Sequence, residues 1–168
     1  ALKDVALAML GNLGIIGEVM VNDFDRPKYG NYLYGAYGNE FDTADGRKVM
    51  VVGLTRRQWD GLCASTGLRA EFDALGQRLG LNLNQEGDRF KAREEITALL
   101  QPWFRARKVE EFAKAFDDSG VTWSVFRTFK QAVREEPDLS TQNPLFSEID
   151  QPGIGRYLVP GSPFEFGA

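Results

Sequence analysis

Residues 41–59 read Phe41-Asp42-Thr43-Ala44-Asp45-Gly46-Arg47-Lys48-Val49-Met50-Val51-Val52-Gly53-Leu54-Thr55-Arg56-Arg57-Gln58-Trp59, and the spacing of apolar positions changes within them. Asp45-Gly46 supplies the positive φ that a tight hairpin turn requires. Val49-Met50-Val51-Val52 is an apolar run rich in β-branched valine, of the kind that packs on a pleated surface, so Glu40 to Leu54 is predicted to form an antiparallel hairpin. From Thr55 the period becomes helical. Thr55 can cap a helix whose Trp59, Leu62, Cys63 and Thr66 fall at i, i+3, i+4 and i+7, and Gly67 ends it. A hairpin that feeds a series of helices is an α+β pattern.

Downstream, Phe72, Leu75 and Leu79 mark a short helix ending near Gly80. The longest helix is predicted over about Glu86 to Arg107, with Ile96, Leu99, Leu100, Trp103 and Phe104 inward and Pro102 bending or splitting it. Val109, Phe112, Ala113 and Phe116 define a helix that stops before Gly120. Val121 to Phe126 reads as a strand, Thr128 to Glu136 as a helix closed by Pro137, and Asn143 to Phe166 as extended chain broken at Pro152-Gly153, Pro160-Gly161 and Pro163.

Upstream, Arg26 to Gly38 holds a proline, repeated glycines and four tyrosines, which predicts an irregular loop running into a strand. Before it, Val5 to Val21 is apolar except for Asn12, Glu18 and the glycines Gly11, Gly14 and Gly17. Such a segment is expected to be a buried helix rather than a membrane span. It is slightly short, and Glu18 would cost a few kcal/mol in hydrocarbon. The glycines would allow a second backbone to approach closely. The rest of the chain is too polar to cover every side of this helix, so its partners are expected on another chain or on sequence N-terminal to it.

Composition narrows the chemistry. With 43% hydrophobic and 26% charged residues in 168, the chain has enough apolar material for one core, which excludes disorder and a disulfide-rich scaffold. A net charge of -4 has the wrong sign for a protein that binds nucleic acid by neutralising phosphates. There is no histidine and a single cysteine, Cys63, so His-based triads, His-containing zinc sites and intrachain disulfides are excluded together. No basic region followed by an apolar stretch and a cleavage site marks the chain for secretion, and a cytoplasmic location is the expectation.

Individual motifs do not name an activity. The glycine-rich loop fits neither G-x-x-x-x-G-K-[ST] nor G-x-G-x-x-G, and reads as a turn whose tyrosines pack on the core more readily than as an anion cradle. The acid pairs Glu94-Glu95, Glu110-Glu111, Asp117-Asp118 and Glu135-Glu136 are adjacent in sequence, so on helices they point about 100° apart and form no shared-proton dyad. Arg56-Arg57 and the Arg105, Arg107, Lys108 group are candidates for phosphate contact, yet basic residues near a helix C-terminus are also explained by its dipole. Cys63 lies on an apolar stripe and reads as a small buried hydrophobe.

Taken together, however, Tyr34-Gly35-Ala36-Tyr37-Gly38, the hairpin from Phe41 to Leu54, Arg57-Gln58-Trp59 with Leu62-Cys63, Gly120-Val121 with Arg127-Thr128, and Gln151-Pro152-Gly153-Ile154-Gly155 leading to Gly161-Ser162-Pro163 resemble, in order and spacing, the small domain of class III CoA-transferases. Arg26-Pro27-Lys28-Tyr29-Gly30-Asn31 and Asn143-Pro144-Leu145-Phe146 look most like family members that move CoA between two carboxyls of one C5 dicarboxylate.

The resemblance implies a layout. Residues 1–25 would be a helical segment of a Rossmann-like large domain whose N-terminal part lies upstream, 26–140 the small α+β domain, and 141–168 the segment returning toward the large domain. It also implies an interlocked homodimer, CoA as substrate with no metal or redox cofactor, and no membrane or nucleic-acid partner. The chemistry would be CoA transfer through an aspartyl thioester, with the aspartate upstream of Ala1 and no catalytic residue here. The family's glycine-rich loop closes over the intermediates. The matching loop is Tyr29 to Gly38, which makes Gly30, Asn31, Tyr32, Tyr34 and Gly35 the candidate substrate-facing residues. Some members have a run of glycines with a Gln at this point. The tyrosines here instead suit a wall against a small unsaturated acyl group. An acyl-CoA racemase on the same fold, a non-catalytic dimerisation and lid module, and a stand-alone CoA-binding domain are the competing readings.

Overall fold

In the computed structural model, which describes residues 1–164, the core is built by Ala36 to Val121 and the two ends of the chain stand outside it. Strand β1 (Tyr37–Asp42) pairs antiparallel with β2 (Lys48–Gly53), Phe41 facing Val49 and Asn39 facing Val51. Strand β3 (Thr122–Val125) pairs antiparallel with the other edge of β2, so the last strand made lies beside the middle one. Val49 and Val51 are fully buried while Lys48, Met50 and Val52 are half-buried, the two-residue alternation of a sheet covered on one face.

The hairpin turn forms where Asp45-Gly46 placed it. Gly46 has φ +72°, the Thr43 N–H donates to the Arg47 carbonyl at 2.9 Å, and the Thr43 hydroxyl donates to Asp45 at 2.5 Å. The other Asp45 oxygen accepts the Val109 N–H at 3.3 Å, capping a helix remote in sequence. Hydrogen bonds, chiefly from Thr43, hold the Asp45 carboxyl below its ordinary range. Asp45→Ala is expected to cost about 1 kcal/mol at neutral pH. A carboxylate with a lowered folded-state pKa contributes fully above its unfolded value and loses that contribution as pH falls through the folded one. The gap in urea midpoint between wild type and variant should therefore close in acid.

The helices cover the buried sheet face. Helix α3 (Arg56–Thr66) begins with a reciprocal cap between Thr55 and Gln58, ends at Gly67 in the left-handed region, and buries Trp59, Leu62, Cys63 and Thr66 as the spacing predicts. Helix α4 (Arg69–Leu79) ends at Gly80 and buries Phe72 and Leu75. Helix α7 (Val109–Ser119) ends at Gly120 and buries Phe112 and Phe116. The centre of the core is aromatic. Phe41 stacks on Phe104 at 4.4 Å, Phe104 meets Phe112 edge-on at 5.4 Å, and half-buried Trp103 stacks on Phe116 at 5.8 Å.

Three expectations are corrected. The continuous helix from Glu86 to Arg107 is two, α5 (Glu86–Lys91) and α6 (Arg93–Arg105), and the break is at Ala92 rather than Pro102. Pro102 stays inside α6. The carbonyl it leaves without a partner belongs to Ala98, and both residues are exposed, so water can satisfy it. The break lets Arg89 on α5 and Ile96, Leu100 and Phe104 on α6 all reach the interior.

The opening segment is not one continuous helix. It is α1 (Leu2–Asn12) and α2 (Ile15–Asn22), bent by 61° at Gly14 with φ +76°, and neither helix buries a residue. Among the described residues, nothing lies within 4 Å of a Cβ added at Gly11, Gly14 or Gly17. Among the described residues no single helix is long and apolar enough to cross a membrane.

The stretch after Asn143 is not merely extended. Strands β4 (Phe146–Gln151) and β5 (Gly155–Pro160) form a second antiparallel hairpin, turned by Gly153 and Gly155 at positive φ. Glu165 and Phe166, included in that expectation, lie outside the described residues. Between the sheets runs α8 (Phe129–Glu135), capped by Thr128 and Gln131 and followed at Pro137 by a 3₁₀ turn.

Candidate functional site

Residues 29–38 form two successive turns held by few backbone bonds. The Tyr32 N–H donates to the Tyr29 carbonyl at 3.4 Å and the Ala36 N–H to Leu33 at 3.4 Å, with Gly30 and Gly35 at φ +64° and +80°. The Leu33 N–H donates to the Gly38 carbonyl at 3.0 Å and closes the second turn onto β1. The Tyr32, Leu33 and Ala36 amides are thus committed inside the loop, and the glycines serve its turns through their positive φ. A Cβ at Gly30 or Gly35 would meet nothing within 4 Å, so both face open space at the loop's outer side.

The tyrosines divide. Tyr37 is wholly buried, its hydroxyl 3.0 Å from Thr97 Oγ1, and burial pushes its pKa up. Asn39 donates to the same Thr97 oxygen at 3.3 Å, which pins β1 to α6. Tyr29 and Tyr34 stack on each other at 5.7 Å and both meet Phe90 of α5 edge-on, at 5.1 and 5.2 Å. The Arg93 guanidinium lies 5.1 Å from the Tyr29 ring, 5.7 Å from Tyr32 and 4.7 Å from Phe90.

On its other flank the loop meets α2. The Arg26 guanidinium sits 3.6 Å over the Tyr34 ring and forms an ion pair with Glu18, whose second contact is the Tyr34 hydroxyl, donating at 2.8 Å. Arg26 first, then Tyr34, holds the Glu18 carboxyl below its usual range, and the Glu18 bond holds the Tyr34 phenol up. Glu18 is the one residue of α1 and α2 that is not exposed. Beside it a cavity of about 290 Å³ is lined by Ile15, Glu18, Val19, Asp25 and Arg26.

Of the five candidates, Tyr32 and Tyr34 are drawn into one aromatic and cationic cluster, and Gly30 and Gly35 form its turns. Asn31 points elsewhere, donating to Glu40 at 2.7 Å, which also pairs with Lys48. Phe90 and Arg93 were absent from the sequence reading. They lie three apart across the break at Ala92, and a continuous helix hid that corner. Glu18 carried a signal as the single charge in an apolar stretch.

The arrangement offers surface, orientation and charge rather than a reacting group. Tyr34 is held protonated, and burial pushes the Cys63 thiol up to about 12. Among the described residues no group of three His, Cys, Asp or Glu side chains could hold a metal ion. Of the other cationic candidates, Arg56 pairs with Asp60 at 2.7 Å, Lys108 lies 3.9 Å from Glu110, and Arg107 donates to the Trp103 carbonyl at 2.9 Å while its guanidinium sits over that ring.

Comparison with known proteins gives the family and the fold. Residues 1–168 match CoA-transferase family III. The 2-methylfumaryl-CoA isomerase of Chloroflexus aurantiacus is 59% identical over 168 residues, all of this chain and 41% of that protein. Crystal structures of Rv3272 from Mycobacterium tuberculosis superpose with a TM-score of 0.65 for an orthorhombic form at 19% identity and 0.66 for another at 20%, each covering 99% of this chain and 40% of that one. At such identity these two share the fold. The chain spans about two fifths of the length of the proteins it matches, and it belongs to CoA-transferase family III.

Proposed function

We propose that the chain is the small domain, with adjoining segments, of an enzyme that moves CoA between the C1 and C4 carboxyls of 2-methylfumaryl-CoA (mesaconyl-CoA). Residues 1–25 and 141–168 would belong with the large domain and 26–140 would carry the tyrosine loop, in a cytoplasmic, interlocked homodimer. The observation that carries the reading is 59% identity to a 2-methylfumaryl-CoA isomerase without interruption of coverage from Ala1 to Ala168.

The proposed chemistry is covalent. An aspartate in the part of the protein beyond this chain attacks the C1 thioester carbonyl, releasing CoA thiolate and leaving a mixed anhydride. The thiolate attacks the aspartyl carbonyl of that anhydride, which frees the C1 carboxylate and forms an aspartyl-CoA thioester. The C4 carboxylate then attacks this thioester, again expelling CoA thiolate. The thiolate takes the C4 acyl carbon of the new anhydride, and the aspartate leaves. Backbone N–H groups would stabilise each tetrahedral oxyanion.

This chain would contribute the wall of Tyr29, Tyr32 and Tyr34 braced on Phe90. Flat rings at fixed angles suit a planar, unsaturated C5 acyl group and exclude water from an anhydride that hydrolysis would waste. CoA enters as substrate and no other cofactor is needed.

The complete protein should convert mesaconyl-C1-CoA to the C4 thioester with no free acid added, followed by liquid chromatography and mass spectrometry. Residues 1–168 alone should give no conversion above the uncatalysed rate. Conversion only when a free carboxylic acid is supplied would replace the intramolecular reading with transfer between two molecules. Absence of conversion in both would overturn it in favour of a racemase or a non-catalytic module, and turnover by residues 1–168 alone would overturn the placement of the nucleophile.

A further inference from the structure

We propose that Glu18, Arg26 and Arg93 are positioning residues that grip the tyrosine loop from opposite flanks and set the shape of its substrate-facing wall; the consequence for turnover rests on the function proposed above.

The contacts form one unbroken ladder. Glu18 on α2 holds Arg26 and the Tyr34 hydroxyl, Arg26 covers the Tyr34 ring, Tyr34 stacks on Tyr29, and Arg93 at the head of α6 lies against Tyr29, Tyr32 and Phe90. It joins helices more than seventy residues apart in sequence across a loop whose backbone has left-handed turns at Gly30 and Gly35. Those turns carry three loop bonds of 3.0 to 3.4 Å, too few to fix the ring positions by themselves. Position must come from side chains.

Arg93 is committed to this role. Its Nε is buried without a hydrogen-bond partner among the described residues, its head reaches the Phe90 carbonyl at 2.9 Å and Glu94 at 3.4 Å, and three rings surround it. A guanidinium among aromatic faces fixes them through its own plane. On the opposite flank the triad of Glu18, Arg26 and Tyr34 is closed, each member touching the other two. Removing any one therefore takes one of its two contacts within the triad from each of the others.

None of the ladder residues belongs to the buried core cluster. Their loss should loosen the loop and leave the fold intact, which separates positioning from general stability.

The test uses the complete protein with Glu18→Ala, Arg93→Met and the conservative Arg93→Lys. Hydrogen–deuterium exchange is read without substrate over peptides covering residues 29–38, together with the melting midpoint. Glu18→Ala and Arg93→Met should speed exchange in that segment by about tenfold. Arg93→Lys, which keeps a cation near the rings, should recover part of the protection, and the melting midpoint should move by no more than about 2 °C in any of the three. In turnover, the KM for the acyl-CoA should rise by more than kcat falls. Unchanged exchange in both Glu18→Ala and Arg93→Met overturns the proposal, as does a rise in exchange spread over the whole protein. If wild type converts no CoA ester, the function proposed above fails, while the exchange measurement still decides this one.

Discussion

Arg89→Met is expected to destabilise the protein by about 3 kcal/mol, the largest single loss predicted for this chain. Arg89 has no exposed surface and is the largest buried side chain after Trp59. It donates from Nε to the Gly53 carbonyl at 3.1 Å, from Nη1 to Leu83 at 2.9 Å and from Nη2 to Leu54 at 2.6 Å. Among the described residues no carboxylate pairs with it, so its charge rests on three carbonyl dipoles and on the Trp59 ring 5.5 Å away. Burial pulls its pKa down from an ordinary value so high that the group stays charged at any pH the fold survives.

Methionine matches the length of the stem and none of the fork. It leaves the Leu83 carbonyl without its donor in the interior at about 1–3 kcal/mol and takes the second donor from the Gly53 carbonyl, which stays paired with Tyr37 in the ladder, partly offset because a desolvated charge is removed. The Leu54 carbonyl counts for less, since that residue is 44% exposed and water can reach it. Arg89→Lys should recover less than half the loss, because one ammonium cannot serve three carbonyls in a plane. The urea midpoint followed by tryptophan fluorescence reads both. A loss below about 1 kcal/mol would mean that water replaces the guanidinium. The effect should extend to function, since Phe90, beside Arg89 on α5, is the plate on which Tyr29 and Tyr34 rest.

Gly61→Ala is expected to cost about 2 kcal/mol, and the reason is a helix crossing. A Cβ built on Gly61 in α3 falls 2.6 Å from the Ser119 carbonyl oxygen at the end of α7 and 3.4 Å from a Val121 methyl. Backbone oxygen cannot rotate away as a side chain would. Relief requires α3 and α7 to separate, and their contact carries the Ser65 to Ser119 hydrogen bond at 2.6 Å. The gain of about 1 kcal/mol in helix propensity from Gly to Ala is outweighed. Gly87→Ala in α5 is the matched control. Nothing lies within 4 Å of its added Cβ and its φ is ordinary, so the same change there should be neutral or slightly stabilising. Thermal midpoints of the two variants, measured side by side, should move in opposite directions or leave Gly87→Ala unmoved.

How much of this was legible in the sequence depended on how local the cause was. The hairpin at Asp45-Gly46 and the cap at Thr55 are set by neighbours within a few residues, and they form where the sequence places them. The corner at Ala92 was not legible, because what fixes it is Arg89 reaching carbonyls thirty-five or so residues away across the chain. Reading Pro102 as the break applied a sound rule to an exposed position, where the freed carbonyl meets solvent. Apolar character in Val5 to Val21 announced a need for cover that this chain by itself does not supply. It could not reveal that Gly14 divides the segment or that its glycines meet nothing within the described residues. At the candidate site, the loop and its tyrosines were visible by type. The arginine between the rings was not, since a cation among aromatics leaves no spacing signature.

The place of β3 beside β2 governs how this polypeptide leaves the ribosome. β2 ends at Gly53, and the strand that completes its second edge begins at Thr122, with five helices translated in between. The hairpin of β1 and β2 is available early, but until Val125 has cleared the exit tunnel the central strand keeps an open edge, with a row of backbone groups ready to pair with another nascent chain. Phe112 and Phe116, which complete the aromatic centre, also arrive late. Collapse of this core thus waits until its last strand has been made, held back by loop closure across some seventy residues. Synonymous codons that slow elongation between Thr55 and Val121 would lengthen the interval of exposure, so the yield of native protein should fall as that stretch is translated more slowly.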